Sequence, residues 1–273
     1  MPCMSVLRTS FLMKVFIFYG LLAWGYKASA GQATIAVASN FIKPMTALVK
    51  EFEAWSPHKL TVVYGSSGRL FAQISNGAPF DVFLSADSLK PTRLIEDGYG
   101  VAGSQMTYAV GRLALWSNKA GVVVNNEDVL SSRTFSAIAI ANPRLAPYGL
   151  AAKQSLESMG LWEQLKSKLV RGENISQTYQ FVFTANADVG FVSYSQLEIQ
   201  NGAEASNYWL IPSEYHAAIT QDSLLLERGA DNQVSLEFIE FLKSDSAIKL
   251  IESFGYLRPL PSPADQISSP GKK

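Results

Sequence analysis

The sequence predicts an α/β fold with two lobes, each a mixed, mainly parallel sheet flanked by helices. Short apolar strands end in small polar residues, and helical periodicity follows each of them. Strands that alternate with helices in this way are typical of largely parallel sheets. Two extended crossings of the chain, near residues 108–116 and 212–226, favour two lobes over a single sheet.

The first two strand–helix units lie close to the amino end. Residues 34–38 form an apolar strand that leads into Ser39 and Asn40, after which apolar residues recur on one helical face through Phe52. Residues 60–64 form the second strand, and it is followed by the stretch "GSSGRLFAQI", in which helical spacing resumes. Both units therefore place serine side chains where a strand gives way to a helix.

Later segments repeat this pattern. Strands are predicted at residues 80–84, 135–141 and 188–192. Helices are predicted to end near Asp97 and Met159, and two amphipathic helices follow at 232–243 and 245–254. The order of these elements gives a coarse map of the sheets.

Two passages connect the predicted lobes. Residues 108–116, "YAVGRLALW", form a long β-prone run with Gly111 in its middle, and residues 212–226 form a second crossing marked by Pro212. We expect a signal peptide at 1–30, lobe I at 31–109 and 217–260, lobe II at 110–216, and a flexible tail at 261–273, which is rich in proline and serine.

The first thirty residues read as a signal peptide. Arg8 and Lys14 precede an apolar stretch, residues 15–24, that is too short to span a bilayer. Ala28-Ser29-Ala30 supplies the small residues that signal peptidase accepts, so cleavage is expected near Ala30; an uncleaved anchor is the alternative. Cys3, the one cysteine, would leave with this segment. An exported chain without cysteine suits the periplasm.

The charge balance disfavours a polyanionic partner. The leader holds three of the 23 basic residues and none of the 23 acidic ones, which leaves 20 basic residues in the mature chain. A mildly acidic protein without a Lys/Arg-rich run is not expected to bind nucleic acid or an acidic membrane surface.

The strand ends instead predict a site for a small anion. Ligands of open α/β sheets gather at the carboxyl ends of the strands. A helix that starts there offers unpaired N–H groups and about half a positive charge. Gly65 and Gly68 would let the backbone approach the anion, while Ser66 and Ser67 would add hydroxyl donors. The alternative for each such residue is a helix cap that serves only its own helix.

Four stretches carry a family resemblance: "TIAVASNF", "VVYGSSGRLFAQISNGAPFDVFLSAD", "IANPRLAPYGLAAKQSLESMGLW" and "DVGFVSYSQL". They resemble the periplasmic molybdate-binding proteins of ABC importers. The resemblance implies a two-lobed periplasmic-binding-protein fold (type II-like) that binds molybdate, and tungstate also, between its lobes. It implies no cofactor, with molybdenum present only as the bound oxyanion. The implied partners of the monomer are an inner-membrane permease and its cytoplasmic ATPase.

The resemblance also implies a set of ligand-binding residues. Ser39, Asn40 and Ser67 would bind the oxyanion from the first lobe. Tyr148 and Ile175 would contribute mainly backbone N–H groups from the second. Tyr148 as a packing aromatic near the hinge, and Ile175 as the first apolar residue of its helix, are the alternatives.

Three further residues are possible ligands. Ser66 adjoins Ser67 in the second loop. Some family members place a tyrosine directly after the strand that here reads "GFV", where this chain has Ser193, with Tyr194 one position later.

Several charged or titratable residues receive other roles. We expect Asp87 to cap the helix that follows it, because a carboxylate beside a dianion is unfavourable. Arg69 is expected to be solvated or paired with an acid such as Asp81. His58 and His216 are too far apart in the chain to suggest a metal site.

Two alternatives to molybdate binding stay open at this stage. One is a binding protein for another oxyanion such as sulfate, since the predicted loops offer donors and no acid. The other is a secreted hydrolase with Ser66 or Ser67 as nucleophile, although the sequence has no G-x-S-x-G elbow and no histidine in the context of a base. The predicted function is binding, not catalysis.

Overall fold

A computed structural model describes residues 30–132, 135–197 and 207–259. The predicted tail and all of the predicted signal peptide except Ala30 lie outside these residues. In the described part of the chain, no helix combines the length and the apolar character needed to cross a membrane.

The described strands are β1 Gln32–Ala38, β2 Lys59–Gly65, β3 Val82–Leu84, β4 Met106–Gly111, β5 Leu113–Trp116, β6 Ile138–Ala141, β7 Leu169–Gly172, β8 Val189–Ser193, β9 Tyr208–Leu210 and β10 Ile219–Leu225. The described α-helices are α1 Ile42–Trp55, α2 Ser67–Ser75, α3 Leu89–Glu96, α4 Asp128–Ser131, α5 Pro147–Ser158, α6 Trp162–Leu165, α7 Ile175–Phe183, α8 Tyr194–Leu197, α9 Gln233–Leu242 and α10 Asp245–Ser253. Short 3-10 helices occupy Ser39–Phe41, Lys166–Lys168, Ser213–Tyr215 and Glu227–Gly229.

Lobe I is built on a mixed sheet. Its described strands lie in the order β2-β1-β3-β10-β4, with β1 parallel to both β2 and β3 and with β10 antiparallel to β3 and β4. The register pairs Ala38 with Gly65, so β1 and β2 end side by side. Phe41, Phe52 and Phe238 are fully buried in the core beside this sheet.

Lobe II repeats the arrangement. Its described strands lie in the order β7-β6-β8-β5-β9, with β6 parallel to β7 and β8, and with β5 antiparallel to β8 and β9. Ile138, Ile140 and Phe191 are fully buried in its core. The two mixed sheets flanked by helices confirm the predicted two-lobed α/β class.

The chain passes between the lobes by extended segments. It leaves the lobe I sheet at Gly111 in β4 and enters the lobe II sheet at Leu113 in β5. It returns from β9 of lobe II to β10 of lobe I. The division of the chain at residues 110 and 217 stays a prediction.

The strand ends direct four helices toward the space between the lobes. In lobe I, β1 runs into the 3-10 helix Ser39–Phe41, and β2 runs into α2. In lobe II, short loops connect β6 to α5 and β7 to α7. Each sheet therefore presents two helix amino termini at the carboxyl ends of its parallel strands, as expected of open α/β sheets.

Candidate functional site

The four helix starts meet at one small cleft between the lobes. The cleft has a cavity volume of about 10 Å³. Its lining comes from both lobes: Ala38, Ser39, Asn40, Gly65, Ser66, Ser67, Ala86, Ala146, Pro147, Tyr148 and Ile175. Ser39, Asn40, Ser66, Ser67, Tyr148 and Ile175 were all predicted as candidates, and the structure brings them together here.

Ser39 and Asn40 differ in what they can offer a ligand. The Ser39 hydroxyl has no hydrogen bond to another described residue, and the Ser39 carbonyl accepts one from the Ser176 hydroxyl of lobe II at 3.0 Å. The Asn40 side-chain amide donates to Gln221 Oε1 at 2.8 Å and to the Tyr256 hydroxyl at 2.9 Å. Since both amide hydrogens are used in the protein, Asn40 is left with its backbone N–H in the first helical turn.

The two serines of the second loop accept hydrogen bonds and keep their own protons free. Ser66 caps α2, and its hydroxyl accepts from the Arg69 backbone N–H at 3.4 Å. The Ser67 hydroxyl accepts from the Ala86 backbone N–H at 2.9 Å. Because a hydroxyl can accept and donate at the same time, each serine still has an O–H to donate to a ligand that only accepts.

Lobe II contributes backbone at the start of α5. Pro147 is the first residue of the helix and has no N–H, so the first helical donor there belongs to Tyr148. The Tyr148 side chain is 1% exposed, and its hydroxyl accepts from Gln221 Nε2 at 3.1 Å. The ring therefore packs at the hinge, as in the alternative stated for it, while the backbone of the same residue lines the cleft.

The start of α7 is arranged in the same way. Asn174 caps this helix by accepting from the Gln177 backbone N–H at 2.9 Å. Ile175 is buried in the lobe II core, and its carbonyl accepts from Gln196 Nε2 at 3.3 Å. The N–H groups of the first helical turn have no acceptor within the helix.

The electrostatics of the cleft favour an anion without using a cation. None of the described lining residues has a charged side chain. Each helix start contributes about half a positive elementary charge. Backbone N–H groups and serine hydroxyls would then form the first shell of a bound anion.

A buried polar network lies directly behind the cleft and joins the lobes. Gln221 Oε1 accepts from Asn40 and, at 3.2 Å, from the Tyr108 hydroxyl. The Tyr256 hydroxyl donates to the Asn40 carbonyl at 3.1 Å. Burial raises the pKa of Tyr148 well above its ordinary value and raises that of Tyr256, so both phenols are neutral at physiological pH. Sequence reasoning missed Gln221 and Tyr256, which lie far along the chain from the loops that they hold.

Ser193 and Tyr194, the remaining possible ligands, do not line the cleft. Ser193 is fully buried, and its hydroxyl lies 2.8 Å from that of Ser195. The Tyr194 ring is covered by the guanidinium of Arg112, whose Cζ is 4.1 Å from the ring centroid.

The charged residues near the loops are engaged elsewhere. Arg69 is exposed and paired with an acid, as expected, but its partner is Glu173 of lobe II at 3.2 Å. Asp81, the acid given as an example, pairs instead with Arg228 at 2.7 Å. Asp87 accepts from the Lys90 backbone N–H at 3.0 Å, a capping role close to the expected one.

The histidines have structural partners. His58 Nδ1 accepts from the Gly31 backbone N–H at 3.0 Å, and His58 Nε2 lies 3.2 Å from Glu237. Within the described ranges there is no cluster of three or more His, Cys, Asp or Glu residues that could hold a metal ion.

Comparison with known proteins gives consistent matches. The family model for bacterial extracellular solute-binding proteins matches residues 33–257. The chain is 43% identical to the molybdate-binding protein ModA of Azotobacter vinelandii, over 87% of this chain and 93% of that protein. It is 42% identical to the protein of the same name from Rhodobacter capsulatus, over 84% and 90%. A solved structure of an Azotobacter vinelandii periplasmic molybdate-binding protein superposes with a TM-score of 0.81 at 34% identity, covering 84% of this chain and all of that one.

Proposed function

The chain belongs to the family of bacterial extracellular solute-binding proteins, and from this premise we propose that it binds molybdate between its lobes and delivers it to an ABC importer. Two relatives above 40% identity are molybdate-binding proteins, which supports molybdate as the ligand. Tungstate, which has the same charge and shape, is proposed as a second ligand.

One observation carries the proposal. Four helix amino termini, two from each lobe, meet at a cleft whose described lining has no charged side chain. Hydrogen bonds to a charged partner contribute about 1.5–3 kcal/mol each, so several that converge offset the cost of removing a small dianion from water. Binding on both sides would hold the lobes together.

The proposed contacts combine hydroxyls with backbone. Ser39 and Ser67 donate their hydroxyl protons to the oxyanion. Asn40, Tyr148 and Ile175 donate backbone N–H groups from the first turns of their helices. Ser66, which lines the cleft and has a free O–H, is a further candidate donor.

The surrounding chemistry favours binding over catalysis. Neither Ser66 nor Ser67 has a histidine beside it to act as general base, because neither histidine lines the cleft. In this proposal the protein uses no cofactor and acts as a monomer. Its partners are a membrane permease and the cytoplasmic ATPase of that importer, and it acts in the periplasm after cleavage near Ala30.

The lining also bears on which oxyanion is bound. Monohydrogen phosphate carries a proton and needs an acceptor, and no carboxylate lines the cleft in the described part of the chain. Molybdate, tungstate and sulfate at neutral pH offer acceptors alone, which matches a site of donors. Phosphate is therefore expected to bind weakly or not at all.

Calorimetric titration of the ligand-free mature protein tests the proposal. Molybdate and tungstate should bind with one ion per chain, and phosphate should give no heat of binding. Tight sulfate binding without molybdate binding would replace molybdate by sulfate in the proposal. No binding of any of these oxyanions would overturn it.

A further inference from the structure

The two lobes touch through their backbones immediately beside the cleft. The Gly68 backbone N–H of lobe I donates to the Leu145 carbonyl oxygen of lobe II at 2.8 Å. Gly68 directly follows Ser67, and Leu145 directly precedes Ala146, the first of three consecutive lining residues in that loop. One hydrogen bond thus joins the two ligand-binding loops across the gap between the lobes.

This contact has no room for a side chain on Gly68. A Cβ at this position would lie 2.9 Å from the Leu145 carbonyl oxygen and 3.0 Å from its Cα. Both neighbours are backbone atoms, so they cannot turn aside as the end of a flexible side chain could. The sequence suggested that Gly68 lets the backbone approach an anion, but its close neighbour is the opposite lobe.

We propose that Gly68 is a positioning residue that sets the distance between the lobes in the ligand-bound state. The inference rests on the proposed function, because it concerns the same cleft. The hydrogen bond is already near the short end of the normal range, so the lobes cannot approach further at this point. The missing Cβ is what permits them to come this close, and so permits donors from both lobes to reach one small ion.

A single methyl group added at Gly68 should increase the distance between the two loops by a measurable amount. Ordinary Cβ contacts begin at 3.4 Å, so relief of the 2.9 Å approach requires a local separation of about 0.5 Å. Hydrogen bonds weaken steeply when they are stretched beyond their normal range. Lobe II donors would then no longer reach an ion held by lobe I.

Gly68→Ala tests this inference through affinity and stability together. We expect molybdate affinity to fall at least tenfold, while the melting temperature without ligand stays the same or rises. Gly68 lies in the first turn of α2 without a positive φ, where alanine is compatible with the backbone. A purely structural role would instead lower the ligand-free melting temperature.

Arg69→Ala is the matched control. Arg69 is the next residue and spans the same gap through an ion pair with Glu173, in which the two side chains are 62% and 69% exposed. Exposed ion pairs contribute little, so affinity should stay within twofold of wild type.

Hydrogen exchange of the wild-type protein gives a second measurement that needs no variant. The Gly68 amide should become at least tenfold more protected when molybdate is added. If the wild-type protein binds molybdate, any one of three results overturns this inference alone. They are an unchanged affinity in Gly68→Ala, a lower melting temperature of ligand-free Gly68→Ala, and equal protection of the Gly68 amide with and without molybdate. A wild-type protein that binds no oxyanion overturns the proposed function and this inference with it.

Discussion

The two lobes share a topology but offer different chemistry to the cleft. In each described sheet the central strand, β3 or β8, pairs with a parallel strand on one side and an antiparallel strand on the other. Lobe I lines the cleft with the hydroxyls of Ser39, Ser66 and Ser67. Lobe II lines it with Tyr148 and Ile175, whose side chains are buried elsewhere. In the proposed site, the same topology therefore supplies side-chain donors from one lobe and backbone donors from the other.

The likeness between the two lobes extends to the residue that precedes each central strand. Asp81 precedes β3 and Asp188 precedes β8. The Asp81 carboxylate accepts from the Thr34 backbone N–H at 2.6 Å and pairs with Arg228, while that of Asp188 accepts from the Ser136 backbone N–H at 2.6 Å and pairs with Lys119. In both lobes an aspartate stabilises the start of the central strand that follows it, remote from the helix starts.

The largest expected effect concerns this shared scaffold. Burial by itself would raise the pKa of Asp188, but hydrogen bonds from Lys119, Ser136 and Ala137 hold it well below its ordinary value. Asp188→Asn removes the charge from those bonds and should lower the free energy of unfolding by about 3 kcal/mol at neutral pH, measured by urea denaturation. Molybdate affinity should not change, and a loss of affinity would show that scaffold and site are not separable.

The same carboxylate has a defined pH dependence. Because its pKa is lowered in the folded state, its stabilising contribution is present above the unfolded pKa of about 3.9 and is lost as the pH falls toward the folded value. The stability difference between wild type and Asp188→Asn should therefore be constant above about pH 5 and shrink below about pH 4. A difference that grows with acidification would contradict this assignment.

The next effect tests the side-chain half of the site. Ser67→Ala removes a donor to the ion and leaves the Ala86 N–H without its acceptor. Loss of one hydrogen bond to a charged ligand, about 1.5–3 kcal/mol, should weaken molybdate binding more than tenfold in calorimetry. Ser75→Ala is the matched control, because that serine ends the same helix and its hydroxyl has no hydrogen-bond partner among the described residues. Equal affinities in the two variants would remove Ser67 from the site.

A smaller effect is expected from the backbone half. Ile175→Val keeps the backbone N–H at the start of α7 and removes one buried methylene group. Stability should fall by about 1 kcal/mol, and molybdate affinity should stay within threefold of wild type. A loss comparable to that of Ser67→Ala would show that lobe II binds through side chains after all.

The smallest effect separates cleft residues from their neighbours. Tyr194→Phe removes a hydroxyl from a ring that lies under Arg112, outside the lining of the cleft. Affinity for molybdate should match that of wild type within the error of the titration. A clear weakening would assign Tyr194 to the ligand.

The contrast between side-chain and backbone donors also explains which site residues could be predicted from the sequence. Strand ends followed by helical periodicity located Ser39, Ser66 and Ser67 directly, because those residue types carry a recognisable chemistry. Tyr148 and Ile175 are proposed to act through backbone groups that every residue except proline has, so only a family resemblance pointed to them. Residue type alone cannot mark such a position.

Long-range pairings were beyond the reach of local patterns. Asn40 meets Gln221 across 181 residues, and Arg69 meets Glu173 across 104. The first contact forms because the chain returns to the lobe I sheet in β10, and the second forms because the two lobes face each other. Strand and helix periodicity encodes neither arrangement. Gly68 shows the same limit, since its tight neighbour Leu145 belongs to the other lobe.

A crystal structure of the mature protein grown with molybdate, with the metal located by anomalous scattering, tests the central claim most directly. The ion is predicted in the cleft, with its oxygens about 2.7–3.2 Å from the hydroxyls of Ser39 and Ser67 and from the backbone nitrogens of Tyr148 and Ile175. An ion held by lysine or arginine side chains on the exterior, with the cleft empty, would contradict the account.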